Sequence, residues 1–139
     1  MKTRRLAAVV ILLVSSLLIA GEADTHLVAA REALSKWAPL MDSGHYEKCW
    51  DELAQNPKEK MPRDQWLIYM KGVRKPMGEL KTRKEFKAEY VKSLKGIPDQ
   101  DGAFIQFESS FSNRDSVVET FGLIHEKDGQ WRVGYYLTK

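Results

Sequence analysis

Few residues in this chain of 139 have the means to do chemistry, and their spacing limits what each can do. His45 and Cys49 stand four apart, which on a helix puts both on one face. An imidazole and a thiolate so placed can fill two positions of a metal site. Asp42 is the one near candidate for a third ligand. Two ligands without a cluster read better as a capping histidine beside a buried cysteine. His26, His45 and His125 are scattered along the chain, and a nucleophile needs a base that is adjacent in space. No Gly-x-Ser-x-Gly elbow occurs, and Ser109-Ser110 reads as part of a strand. Asp51 and Glu52 are neighbours, so on a helix they point in different directions and form no acid–base dyad. The expected catalytic, metal and cofactor-binding sets are therefore all empty.

A set of aromatic and charged residues is more informative. Trp37, Trp50, Trp66, Tyr69, Phe107, Phe121 and Tyr135 can line the space between helices and a sheet. That space either fills as core or stays open as a ligand pocket. Arg83 and Glu119 are charged residues in strand-like segments. Pointing inward, either one would be a polar group in an apolar cavity, the usual mark of a ligand site. Pointing outward, they would form an exposed cross-strand ion pair of little worth. The candidate pocket is accordingly Trp37, Trp50, Trp66, Tyr69, Arg83, Glu119 and Tyr135. Lys81, Arg83, Lys84, Lys87, Lys92 and Lys95 make a basic stretch. On a regular strand Lys81, Arg83 and Lys87 share one face, and Lys84 and Lys92 the other. Lysines there protect an edge strand from edge-to-edge pairing. The alternative is contact with an anionic envelope surface or an acidic partner.

The elements that must hold these residues follow from periodicity. Leu27, Ala30, Leu34, Trp37 and Met41 step by three and four, which predicts a helix over 24–41, stopped at Gly44. A shorter helix is expected over 45–54, ended by Asn56-Pro57, and a third from Pro62 to about Val73. After Gly78 the period changes to two. Leu80, Thr82, Lys84, Phe86, Ala88 and Tyr90 alternate with mostly charged neighbours, as in a half-exposed strand. Turn residues crowd 95–102. Strands are expected over 103–111, 117–125 and from Trp131 on, where Trp131, Val133, Tyr135 and Leu137 share a face. Asp128-Gly129 carries the hairpin signal before the last of them. Three helices followed by a four-stranded antiparallel meander is an α+β fold, with helices on one face of a curved sheet.

The N-terminus sets the address. Met1-Lys2-Thr3-Arg4-Arg5 is cationic, and the apolar run from Leu6 to Ala20 falls short of the roughly 20 residues that span a bilayer. It suits the core of a signal peptide. Gly21 and Ala23 are the small residues of a cut before Asp24, and a cut after Ala20 is the second choice. The expected organisation is a signal peptide over 1–23 and one domain over 24–139, periplasmic or secreted and not integral to the membrane after cleavage. Losing Lys2, Arg4, Arg5 and Glu22 lowers the formal charge from +3 to about +1. That leaves no concentrated basic footprint for nucleic acid. Cys49 is the sole cysteine, so no internal disulfide forms, and burial is its expected fate.

A resemblance emerges from particular residues. They are Trp37, Asp42-x-Gly44-x-Tyr46, Trp50, Trp66, Arg74-x-Pro76-x-Gly78, Arg83, Gly96-x-Pro98-x-x-x-Gly102, Ser110-Phe111, Glu119 and Asp128-Gly129-x-Trp131-Arg132-Val133-x-x-Tyr136. With these the chain resembles the exported bacterial family catalogued as domain of unknown function 4019, over roughly Leu27 to Leu137. Gly134-Tyr135 departs from the expected Ala-Gly. The family is similar to the nuclear-transport-factor-2-like, or cystatin-like, fold group. The resemblance implies fold and address and brings no catalytic residues. The expected function is a non-enzymatic binding or interaction module with an unidentified protein or small ligand in the cell envelope. Two alternatives stand beside it: a small-ligand enzyme with a pocket between helices and sheet, and a domain that self-associates, as a homodimer, through its sheet.

Overall fold

The computed structural model describes the backbone from Lys2 and side chains from Gly21 to Lys139. The expected leader therefore lies almost entirely outside the described side chains. Helix α1 runs Lys2–Asp42, α2 Tyr46–Asp51, α3 Gln55–Lys60 and α4 Arg63–Arg74, and a 3₁₀ turn follows over Lys75–Met77. Strands β1 (Leu80–Val91), β2 (Asp101–Phe111), β3 (Arg114–His125) and β4 (Trp131–Thr138) form one antiparallel sheet in that spatial order. The α+β architecture is as expected, with one short helix more. Asn56-Pro57 does not end a helix; Pro57 lies in the first turn of α3, where its missing N–H would have had no partner anyway.

Helix α1 ends as its sequence dictates. Gly44 takes φ of 78°, its N–H donates to Met41, and the His45 N–H donates to Leu40. This pair of bonds needs a left-handed residue, which glycine supplies at little cost. The turn leaves Asp42 at the last position of α1, over the sheet.

The core lies between the helices and one sheet face. Leu34, Trp37 and Met41 of α1, Cys49 of α2 and Trp66 and Met70 of α4 pack on Ile105, Phe121, Leu123 and Val133. Trp37 closes one polar demand by donating its indole N–H to the Cys49 carbonyl at 3.0 Å. Cys49 is fully buried. Burial first, and then the Asp42 charge, pushes its thiol up to about 12, away from the thiolate form.

Two irregularities correct the simple alternation. In β1 the register slips between Glu85 and Lys87, so Phe86 is the extra residue of a bulge. Ahead of it Arg83 and Glu85 are the more enclosed positions, and after it Ala88 and Tyr90. Lys84 and Lys87 are both exposed, and the register slip puts them on the outer face together, not on opposite faces as regular alternation predicts. In β4, Val133 pairs with Leu123 and Tyr135 with Gly122, leaving Gly134 unpaired. A side chain at Gly134 would press on Ile124 at 2.9 Å. Past this bulge Tyr136 is buried, while Tyr135 and Leu137 face out.

The two edges of the sheet differ. The β4 edge is covered: the Ala54 N–H donates to the Val133 carbonyl at 2.8 Å, and the Tyr69 hydroxyl to the Tyr136 carbonyl at 3.1 Å. The β1 edge has its bulge and its lysines, the features that keep an open edge from pairing.

Candidate functional site

The expected pocket residues separate into three groups. Trp37 and Trp66 are core, and Trp50 packs partly buried against Trp66 with ring centroids 5.7 Å apart. Tyr69 and Tyr135 are outside, each 40% exposed. Tyr69 spends its hydroxyl on the β4 backbone and Tyr135 on Asn56. Tyr135 is turned out by the Gly134 bulge and not inward as regular alternation predicts. Arg83 and Glu119 meet each other, and they meet inside.

Glu119 projects from β3 into the interior and is 0% exposed. One carboxylate oxygen accepts from Arg83 Nε at 2.8 Å and from the Ser109 hydroxyl at 2.5 Å. The other accepts from Arg83 Nη2 at 3.1 Å and the Tyr136 hydroxyl at 2.6 Å. The rest of the Arg83 guanidinium turns to Asp42, donating at 2.7 and 2.9 Å. Arg74, 3% exposed, adds a longer bond to Asp42 at 3.3 Å and lies over the Phe111 ring at 4.4 Å. Two guanidiniums and two carboxylates thus close a neutral set at the end of α1. Sequence places these four residues on α1, α4, β1 and β3, so the set ties four elements together.

The electrostatics follow from this geometry. Burial is the largest single influence on Glu119 and would raise its pKa. The hydrogen bonds and charge of Arg83, with Ser109 and Tyr136, outweigh it, and the carboxyl sits below its ordinary value. Burial would likewise release the Arg83 proton, but Asp42 and Glu119 hold it more firmly than usual. The Tyr136 hydroxyl is raised by burial and then by the Glu119 charge. A carboxylate with all its acceptor positions filled has none left for a substrate proton. This set orients and holds; it is not built for acid–base work.

Beside it runs a groove of about 330 Å³ between α1 and the sheet. Leu34, Ala38, Phe107 and Phe121 give it apolar walls, and Arg83, Asp42, Arg31 and Glu85 line its polar part. Arg31 and Glu85 bond to each other at 2.6–3.0 Å. Arg83 therefore does face an apolar concavity, with its charge already matched.

Other expectations can be placed too. His26 stacks on Tyr90 with centroids 4.6 Å apart, and its ring lies 5.3 Å from that of His125, which stacks on Trp131. The fold joins these two and leaves His45 exposed elsewhere. Of the pair His45 and Cys49, the fold buries Cys49 and leaves His45 on the surface. Among the described residues no group of three or more His, Cys, Asp or Glu is arranged to hold a metal ion. Among them, too, no helix is long and apolar enough to cross a membrane.

Sequence reading missed Asp42, Arg74, Ser109 and Tyr136 as partners of Arg83 and Glu119. No local pattern links them, yet Asp42, Arg74, Arg83, Glu119 and Tyr136 all lie among the residues that carry the resemblance. The sequence profile of a family described as Protein of unknown function (DUF4019) matches residues 33–136. The chain belongs to the DUF4019 family. The matched segment takes in the whole charged set, strands β1 to β3 and β4 as far as Tyr136, and it begins inside α1. No curated protein and no solved structure matches the chain.

Proposed function

We propose that this DUF4019 domain is a non-catalytic binding module that is exported through its N-terminal signal and acts in the periplasm or outside the cell. It takes a small, largely apolar ligand in the groove between α1 and the sheet. The observation that carries this reading is the wall of that groove. In this groove of about 330 Å³, Arg83 stands beside Leu34, Ala38, Phe107 and Phe121 and is held in place by Asp42 and Glu119. Apolar walls with a few fixed polar groups are what small-molecule sites share. The closed hydrogen bonding of Glu119 supports binding over turnover. Helices on one face of an antiparallel sheet, with bulges that bend its strands, support kinship with the nuclear-transport-factor-2-like and cystatin-like folds.

The test is native mass spectrometry of the protein purified from the cell's periplasmic fraction. The reading expects an N-terminus at Asp24, or at Gly21, and a bound small molecule that is lost in Ser35→Phe, which fills the groove from its rim. A leader retained in full, or an identical adduct in that variant, would contradict it.

A second reading has its own observation. Leu137 is 59% exposed and Ile68 71%. Each lies close in sequence to a part-exposed tyrosine, Leu137 to Tyr135 on β4 and Ile68 to Tyr69 on α4, and exposed apolar groups that gather in a patch mark protein contacts. This supports self-association as a homodimer. Sedimentation of Leu137→Asp against the parent protein separates this from the groove reading, since only self-association would weaken.

A further inference from the structure

On the other side of Asp42 from the groove lies a second concavity, of about 400 Å³, between the last turn of α1 and the end of α4. Its charge is tilted to the positive side. Lys71 and Lys75 line it, and neither pairs with a carboxylate among the described residues. Tyr46 also lines it; its ring is buried, and its hydroxyl, which bonds to no described residue, is open to solvent. Arg74 closes the inner wall.

Arg74 is the telling residue. Arg83 takes the short bonds that Asp42 has to give, at 2.7 and 2.9 Å, and Arg74 is left with one of 3.3 Å. Its only other acceptor among the described residues is the Gly78 carbonyl at 3.5 Å, and its buried Nε has none among them. A guanidinium so deeply buried is expected to be fully paired. Here the carboxylate it would pair with is already engaged. Lys71 and Lys75 at the C-terminal end of α4 complement the helix dipole, but that does not account for a buried arginine left short of acceptors. Two carboxylates line the concavity. Asp42 is committed to Arg83, and Glu79 is turned to solvent near Lys81 at 3.9 Å.

We propose that this concavity binds a single small oxyanion, a phosphate or carboxylate group, held by Lys71 and Lys75 with the Tyr46 hydroxyl, in front of the buried and underpaired charge of Arg74. Lys71, Arg74 and Lys75 outnumber Asp42 and Glu79 around this space; that excess of positive charge favours an anion, and oxyanions accept charge-assisted hydrogen bonds from such groups. The oxyanion is either that of a free small solute or the headgroup of an anionic lipid; the chemistry at the protein is the same. The site is separate from the groove and does not depend on the groove being occupied.

The test uses the protein as the cell processes it, ¹⁵N-labelled and titrated with inorganic phosphate at constant ionic strength, alongside co-sedimentation with phosphatidylglycerol vesicles and phosphatidylcholine controls. The expected result is a saturable shift of the Gly44, Tyr46 and Gly78 amides, or selective phosphatidylglycerol binding. Either is weakened at least about tenfold in K71Q/K75Q and unchanged in K92Q. Phosphate shifts alone assign a free solute, and vesicle binding assigns a headgroup. If neither probe binds, or if K92Q weakens binding as much as K71Q/K75Q, the proposal is wrong. The far-ultraviolet circular dichroism of each variant shows that its fold is kept.

Discussion

The helix–sheet interface has two halves that solve the same problem differently. Under Trp37, Trp66 and Met70 it is closed by apolar side chains, with one indole N–H satisfied by a backbone carbonyl. Under the last turn of α1 it is closed by Asp42, Arg74, Arg83 and Glu119. The apolar half resists the loss of any one member in proportion to the cavity left behind. The charged half resists only as a set, because each member removed leaves another charge buried without its partner. Placing a charged set beneath a groove thus yields a rigid wall whose polarity is already spent.

That contrast can be broken from its strongest point downward. Glu119→Ala should cost about 3–5 kcal/mol in urea unfolding, since it takes two of Arg83's buried hydrogen bonds and leaves Asp42 as its one carboxylate partner against the two guanidiniums. The same residue gives the charged half a pH signature. The folded pKa of Glu119 lies below the ordinary value of 4.5. Its contribution is therefore fully present above that value and is lost as pH falls through the folded pKa. Glu119→Gln should flatten this acid limb. Met70→Ala, in the apolar half, should cost about 3 kcal/mol with no change in the acid limb. Tyr136→Phe removes one of four donors to Glu119 and should cost about 1.5 kcal/mol. Arg31→Ala, at the groove's exposed rim, should cost under about 1 kcal/mol and less still in high salt.

Much of the frame was legible. Asp128-Gly129, Gly44 and the turn residues near Pro98 mark chain reversals because their backbone demands are local. The long edge strand was legible from alternation alone, even with lysine and glutamate in it. The phase of the strands was not. Single-residue bulges at Phe86 and Gly134 turn later side chains over, and a bulge is fixed by the neighbouring strand, not by its own residues. This is why Tyr135 was expected inside, although Tyr136 is the one that enters. The inward course of Arg83 and Glu119 was weighed as one of two options. Their meeting with Asp42 and Arg74 was hidden, because it joins positions up to 77 residues apart (Asp42 to Glu119) that no periodicity connects.

The central claim is that the buried charges serve one another. A double-mutant cycle on Arg83→Met and Glu119→Leu, read by urea unfolding, tests it most directly. The account predicts that each single change costs about 3–5 kcal/mol, and that the double variant, with both charges gone, recovers most of the loss. Losses that simply add would contradict it, for they would mean that Arg83 and Glu119 act independently.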